Sequence, residues 1–196
     1  MSSSAQIILA SASPRRRELL EQIGVIAIVQ PVDIDETQQG DEAVITYVQR
    51  LAMEKAQRGF DTIDNKNMLP VLGADTIIEV DAMVLGKPKN RQQAKEMLKL
   101  LSDRKHKVHS SVAIVTHEEK LIETSSTHVH FKALSEEEMD SYLATGESDD
   151  KAGSYAIQGK AAQFIKNING SYTGVMGLPL YETVQLLRRC GVKTLK

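Results

Sequence analysis

Cysteine is nearly absent. Cys190 is the single one in 196 residues, so the chain cannot close an internal disulfide, and this fits a reducing compartment. Lying after Arg188-Arg189 near the end of a C-terminal helical segment, it reads as a packing or surface thiol. Net charge is nearly absent too. With 24 basic and 26 acidic side chains the formal charge is -2, which leaves no global positive field to hold polymeric nucleic acid. Any anionic ligand must be small and gripped locally. No apolar run approaches the roughly 20 residues of a membrane span. Met1-Ser-Ser-Ser-Ala-Gln, followed by the short run Ile7 to Ala10, lacks the make-up of a signal peptide. The expectation is a cytoplasmic protein. Internal repeats, low-complexity linkers and composition breaks are also missing. The length is ample for a hydrophobic core, so residues 1–196 are read as one domain.

What is present alternates helix and strand. Ile7 to Ala10 predicts a strand, and Pro14 onward a helix with proline in its first turn and Gly24 as terminator. Val25 to Val32 predicts a second strand. An acidic loop, Asp33 to Asp41, leads into a helix placing Ile45, Val48, Leu51 and Ala52 on one face, with Lys55 one turn beyond Leu51. Leu69 to Ala74 predicts a strand, followed by a hairpin through Asp81-Ala82. Asn90 caps a helix carrying Ala94, Met97, Leu98 and Leu101 inward. Lys107 to Thr116 and Leu121 to Lys132 form a hairpin. Ser135 and Glu138 make a capping box for a helix carrying Met139, Tyr142 and Leu143. A strand around Phe164-Ile165, a turn at Asn169-Gly170 and a final helix from Pro179 to Cys190 complete the chain. The pattern is an α/β fold with a mixed, bent sheet flanked by helices, in two lobes around a central cleft.

Four groups of residues can carry chemistry. Ser11-Ala12-Ser13-Pro14-Arg15-Arg16 joins a strand end to a helix start, where free N–H groups and the helix dipole favour an anion. It equally fits an ordinary helix start with Ser13 as N-cap and solvated arginines. Asp33-Ile34-Asp35-Glu36 and Asp75 form an acidic set. Carboxylates from two loops suit Mg²⁺, which retains waters and bridges to phosphates, although an acidic loop is commonly just solvated. Asp75 follows the apolar Val71-Leu72-Gly73-Ala74, at what reads as a strand end facing ligand. The third group is basic: Lys55 on its helix and Lys87 between Gly86 and Pro88. The fourth runs from Asp150 through Gln158-Gly159, with Gly170-Ser171-Tyr172 and Gly177-Leu178-Pro179-Leu180 after it. There Gln158 either reads a base edge with its donor and acceptor or is merely exposed. The histidines, mostly between His106 and His130, read as structural or exposed.

Taken in order, Leu9-Ala-Ser-Ala-Ser-Pro-Arg-Arg-Arg-Glu-Leu-Leu, Gly73-Ala-Asp-Thr, Gly86-Lys-Pro, Asp150-Lys-Ala-Gly-Ser-Tyr-Ala-Ile-Gln-Gly, Gly170-Ser-Tyr and Gly177-Leu-Pro-Leu resemble the Maf family of nucleotide pyrophosphatases across nearly the whole chain. The resemblance implies a cytoplasmic, metal-dependent hydrolase that splits a nucleoside triphosphate into the monophosphate and pyrophosphate. It further implies a fold related to the inosine triphosphatases, often dimeric, and the branch acting on dTTP and UTP. Carried over by position, it makes Asp75 the proton acceptor and Glu36 a metal-binding carboxylate. Arg15, Thr76 and Gln158 become residues setting nucleotide preference, and Ser11, Arg16, Lys55 and Lys87 line the phosphate site. Asp75 as base and Asp75 as ligand to Mg²⁺ or Mn²⁺ both require an ionised carboxylate, and both stay open. The rival reading is a nucleotide-binding regulator of cell division without turnover. It needs the basic residues but has less need of Asp75.

Overall fold

A computed structural model of the chain describes residues 4–62 and 69–195; Met1 to Ser3, part of the N-terminal stretch considered above, lie outside them. The described chain runs β1 (Ile7–Leu9), α1 (Pro14–Gln22), β2 (Ala27–Val29), α2 (Val44–Asp61), β3 (Val71–Val80), β4 (Met83–Leu85), α3 (Arg91–Leu101), β5 (Lys105–Val115), β6 (Lys120–Phe131), α4 (Glu136–Leu143), β7 (Ile165–Asn169), α5 (Tyr172–Met176) and α6 (Leu180–Arg189). The strands form one mixed sheet in the order β2-β1-β3-β5-β6-β7, with β4 paired to β3. β1 lies parallel to both β2 and β3, while β3–β4 and β6–β7 are antiparallel. Among the described residues no helix is long and apolar enough to cross a membrane.

The chain groups into two compact units. The first comprises Met1–Asp75, Ser110–Ser125 and Gly177–Lys196; the second comprises Thr76–His109 and Ser126–Met176. In the first, Ile8, Ala10 and Val71 pack with Val32, Phe60 and Leu69, and Ala52 and Ala56 of α2 meet Ala113 and Val115 of β5. The small residues have a purpose. A Cβ on Gly73 would lie 2.4 Å from the Ala52 carbonyl oxygen and 2.4 Å from the Ala56 nitrogen, so β3 runs directly against the α2 backbone. That contact fixes how far Lys55 of α2 stands from Asp75 of β3.

In the second unit Ile78, Leu98, Leu101, Phe131, Tyr142 and Phe164 anchor a larger core. Its aromatic rings meet edge to face, with centroids 4.9 Å apart for Phe131–Tyr155 and 5.4 Å for Tyr142–Phe164. The Asn90 side chain caps α3, and Ser135 with Glu138 closes the expected capping box on α4. Asp81 and Ala82 turn the β3–β4 hairpin with φ of 49° and 60°, the positive pair that a two-residue hairpin requires.

Several elements depart from the sequence expectation. The second strand shrinks to Ala27–Val29. Ile45 is 37% exposed: it sits in the first turn of α2, beyond the packed stretch that starts at Val48. The strand expected to stop at Ala74 continues to Val80, so Asp75 lies in mid-strand. Two short 3-10 helices, Ala152–Ser154 and Lys160–Phe164, replace part of the expected polar loop, and the last β strand begins only at Ile165.

Candidate active site

The turn from β1 to α1 is built around a buried hydroxyl. Ser13 occupies the N-cap position, yet its side chain makes no capping bond. Instead the Ser13 N–H donates to Ser11 Oγ (3.2 Å), and Arg16 Nη1 donates to the same oxygen (3.0 Å). Arg16 Nε also donates to the Gly177 carbonyl (2.9 Å). The ordinary alternative, a side-chain cap with solvated arginines, therefore fails at Ser13 and at Arg16. Arg16 is a fixed guanidinium beside a helix start that carries no acidic residue in its first turn. Burial lowers its pKa, the Asp75 carboxylate raises it, the neighbouring Arg15 lowers it and Glu36 raises it. The group stays cationic at neutral pH, and these influences place it in the field of both acids.

Those two acids converge on one ammonium. Lys55 Nζ lies 2.6 Å from Asp75 Oδ1 and 2.5 Å from Glu36 Oε1. Asp75 is buried on β3, whereas the Glu36 side chain is 51% exposed and belongs to a loop. The loop owes its position to α2. The Tyr47 hydroxyl donates to the Glu36 carbonyl (2.6 Å), and Arg50 donates to the Thr37 carbonyl (3.0 Å). Arg50 is itself held by Glu42 (2.6 Å), and that bond above all raises its pKa. Burial, followed by the charges of Asp75 and Glu36, pushes the Tyr47 hydroxyl up, which keeps it a donor.

Two carboxylates facing one cation form a hard-oxygen donor set. Among the described residues no group of three or more His, Cys, Asp or Glu side chains gathers as a metal cage. A pair of carboxylates nevertheless suits Mg²⁺ or Mn²⁺, whose remaining positions go to water and phosphate oxygens. The residues present fit such an ion.

The first unit thus brings together Ser11, Arg15, Arg16, Glu36, Lys55 and Asp75. Thr76, Lys87 and Gln158 belong to the second unit. Thr76 follows Asp75 on β3 and is half-buried; Lys87 and Gln158 are exposed. The Lys87 loop is pinned to the short helix Ala152–Ser154, because the Gly153 N–H donates to the Gly86 carbonyl (3.1 Å). Gly153 takes φ of 62° and leaves no room for a side chain: a Cβ would lie 2.5 Å from Ile78 Cδ1. Gln158 follows three buried residues, Tyr155, Ala156 and Ile157, and Tyr155 is hydrogen-bonded to the buried His106 (2.8 Å).

Sequence reasoning missed Tyr47, Arg50 and the Gly177 carbonyl. The first two had a signal, since Tyr47, Arg50 and Glu54 recur at helical spacing on one face of α2. Gly177 stood in a candidate motif, but its pairing with Arg16, 161 positions away, had no signal.

The family model for Maf-like proteins matches residues 6–190. The dTTP/UTP pyrophosphatase of Aliivibrio fischeri is 50% identical over 187 residues, covering 94% of this chain and 98% of that protein. Proteins of the same name from Colwellia psychrerythraea and Bordetella avium are 48% and 50% identical. They cover 97% and 95% of this chain, and 91% and 96% of their own lengths. Among solved structures, the Staphylococcus aureus Ham1 protein matches with a TM-score of 0.44 and 12% identity, covering 94% of this chain and 96% of that one. The chain belongs to the family of Maf-like proteins.

Proposed function

We propose that this chain, acting as one catalytic domain over residues 1–196, hydrolyses dTTP and UTP to the monophosphate and pyrophosphate through attack of water on the α phosphate. The observation carrying the proposal is the convergence of Glu36 and Asp75 on a single cationic position, with Arg16 in the field of both. The choice of nucleotide is supported by relatives named dTTP/UTP pyrophosphatase at 48–50% identity over nearly their whole length.

A triphosphate carries about four negative charges, and its hydrolysis spreads charge over the attacked and leaving phosphates, so positioned cations matter more than covalent chemistry. Ser11 in the connection before α1 and Arg16 in its first turn grip phosphate oxygens, and Lys55 and Lys87 add ammonium groups. Glu36 and Asp75 would hold Mg²⁺ or Mn²⁺, which withdraws charge from the phosphates and eases deprotonation of the attacking water. Asp75 receives the proton of that water. Arg15, Thr76 and Gln158 set nucleotide preference, Gln158 through the donor and acceptor of its amide. The substrate is a free nucleotide, handled in the cytoplasm without polymeric nucleic acid or membrane.

The test is a panel of purine and pyrimidine triphosphates assayed for pyrophosphate release with Mg²⁺ and with Mn²⁺. dTTP and UTP should lead it; a purine preference overturns the substrate assignment. Asp75→Asn should lower kcat by about 100-fold or more. Full pyrophosphate release by that variant overturns the catalytic role and favours a regulator that binds nucleotide without turnover.

A further inference from the structure

Gln158 projects from a segment whose two ends are held very differently. On its N-terminal side, Tyr155, Ala156 and Ile157 are buried. On its C-terminal side the backbone is clamped by one side chain. Glu147 Oε2 accepts the Lys160 N–H (3.0 Å), and Oε1 accepts the Tyr142 hydroxyl (3.0 Å) and the Ala161 N–H (3.5 Å). The carboxylate thereby satisfies N–H groups in the first turn of the short helix Lys160–Phe164, which have no partners within that helix. Burial and the Glu147 charge push the Tyr142 hydroxyl up, which keeps it protonated as a donor.

Gly159 reveals how closely the carboxylate approaches. Its backbone, with φ of -102° and ψ of -154°, is open to any residue, so conformation does not call for glycine here. Space does. A Cβ at this position would lie 2.3 Å from both Glu147 oxygens. The glycine after Gln158 is explained by the carboxylate twelve positions earlier. Glu147 is itself seated by the end of α4, where the Thr145 hydroxyl donates to the Tyr142 carbonyl (2.7 Å) and the Gly146 N–H to the Leu143 carbonyl (3.2 Å).

We propose that Glu147 is a positioning residue for the reaction: it fixes the backbone of Gln158–Gly159 so that the Gln158 amide meets the pyrimidine edge already ordered. The proposal rests on the assignment of Gln158 to nucleotide preference. An exposed glutamine on a free loop would lose backbone and side-chain freedom on binding, and a clamp removes the backbone share of that cost before substrate arrives. Glu147 touches neither phosphate nor water in this scheme. Its loss should therefore appear in KM and in base discrimination while kcat is largely spared.

The experiment compares kcat and KM for dTTP, UTP and a purine triphosphate in wild type, Glu147→Ala, Gly159→Ala, their double variant and Gln158→Ala, with melting temperatures measured alongside. Glu147→Ala should raise KM for dTTP and UTP about tenfold and lower the pyrimidine-to-purine ratio of kcat/KM by a similar factor, with kcat within about threefold of wild type. Gly159→Ala should reproduce this by expelling the carboxylate, and the double variant should be no worse than the more affected single. Glu147→Gln, which keeps one acceptor oxygen, should recover part of the loss, and it carries the same comparison should Glu147→Ala fail to fold. A folded Glu147 variant with an unchanged ratio overturns the proposal while leaving Gln158 intact, provided Gln158→Ala collapses the ratio. An equal fall in kcat on every triphosphate overturns it as well. An unchanged ratio in Gln158→Ala removes the base-reading role of Gln158, and the proposal falls with it.

Discussion

At the scale of single residues, the first unit gathers the charged trio Glu36, Lys55 and Asp75. Lys55 neutralises two acids at once, and Asp75 is only 7% exposed, so removing the ammonium strands a carboxylate where water reaches it poorly. Lys55→Met is expected to cost about 1–3 kcal/mol of stability in the presence of a chelator, read as a lowered Tm. Added Mn²⁺ should restore most of that loss, because an ion bound by the folded chain stabilises it by mass action. Melting that does not respond to Mn²⁺ would show that the two carboxylates do not share a cation site. The sequence made these residues candidates through their neighbours: Asp75 through the small Gly73-Ala74 ahead of it, and Lys55 through its helix. It could not show them in contact. Their convergence depends on the missing side chain at Gly73, which lets β3 and α2 touch backbone to backbone.

At the scale of elements, local chemistry was the legible part. The Asn90 cap, the Ser135–Glu138 box, the Asp81-Ala82 hairpin and the proline at the start of α1 stand where their residues place them, since each depends on partners within four positions. The true length of β3 was not legible. It is buried along almost its whole run, so alternation of polar and apolar residues, the sign of a half-exposed strand, is missing, and Asp75 looked like an end. Of the histidines read as structural or exposed, His106 of β5 is structural, buried against Tyr155 and Phe131. Burial, and secondarily the charge of Arg104, lowers its pKa to about 4. The unfolded chain takes up a proton as pH falls through about 6.5, whereas the folded chain resists until about 4. The stability linked to neutral His106 is therefore complete above pH 6.5 and is lost as pH drops across that window. The total is about 3 kcal/mol. Urea denaturation at a series of pH values should give a steeper acid loss for wild type than for His106→Phe, by close to one proton. Parallel curves would remove His106 from the account.

At the scale of the molecule, the two compact units interleave along the sequence. The chain leaves the first unit after Asp75, returns at Ser110, leaves again after Ser125 and returns at Gly177. Three strands, β3, β5 and β6, therefore carry residues of both units, and three of the four boundaries fall inside a strand, the fourth at the end of α5. This is why no composition break marks the division in the sequence: linkers leave a polar, glycine-rich or proline-rich signature, and strand interiors do not. Because the chain passes between the units within three strands, they should lose structure together. Differential scanning calorimetry of the full chain should show a single transition whose calorimetric and van't Hoff enthalpies agree. Nucleotide with Mg²⁺ should shift that one peak upward without splitting it. Two resolved transitions, or a ligand that moves only part of the melt, would mean that the halves fold separately and that residues 1–196 do not act as one domain.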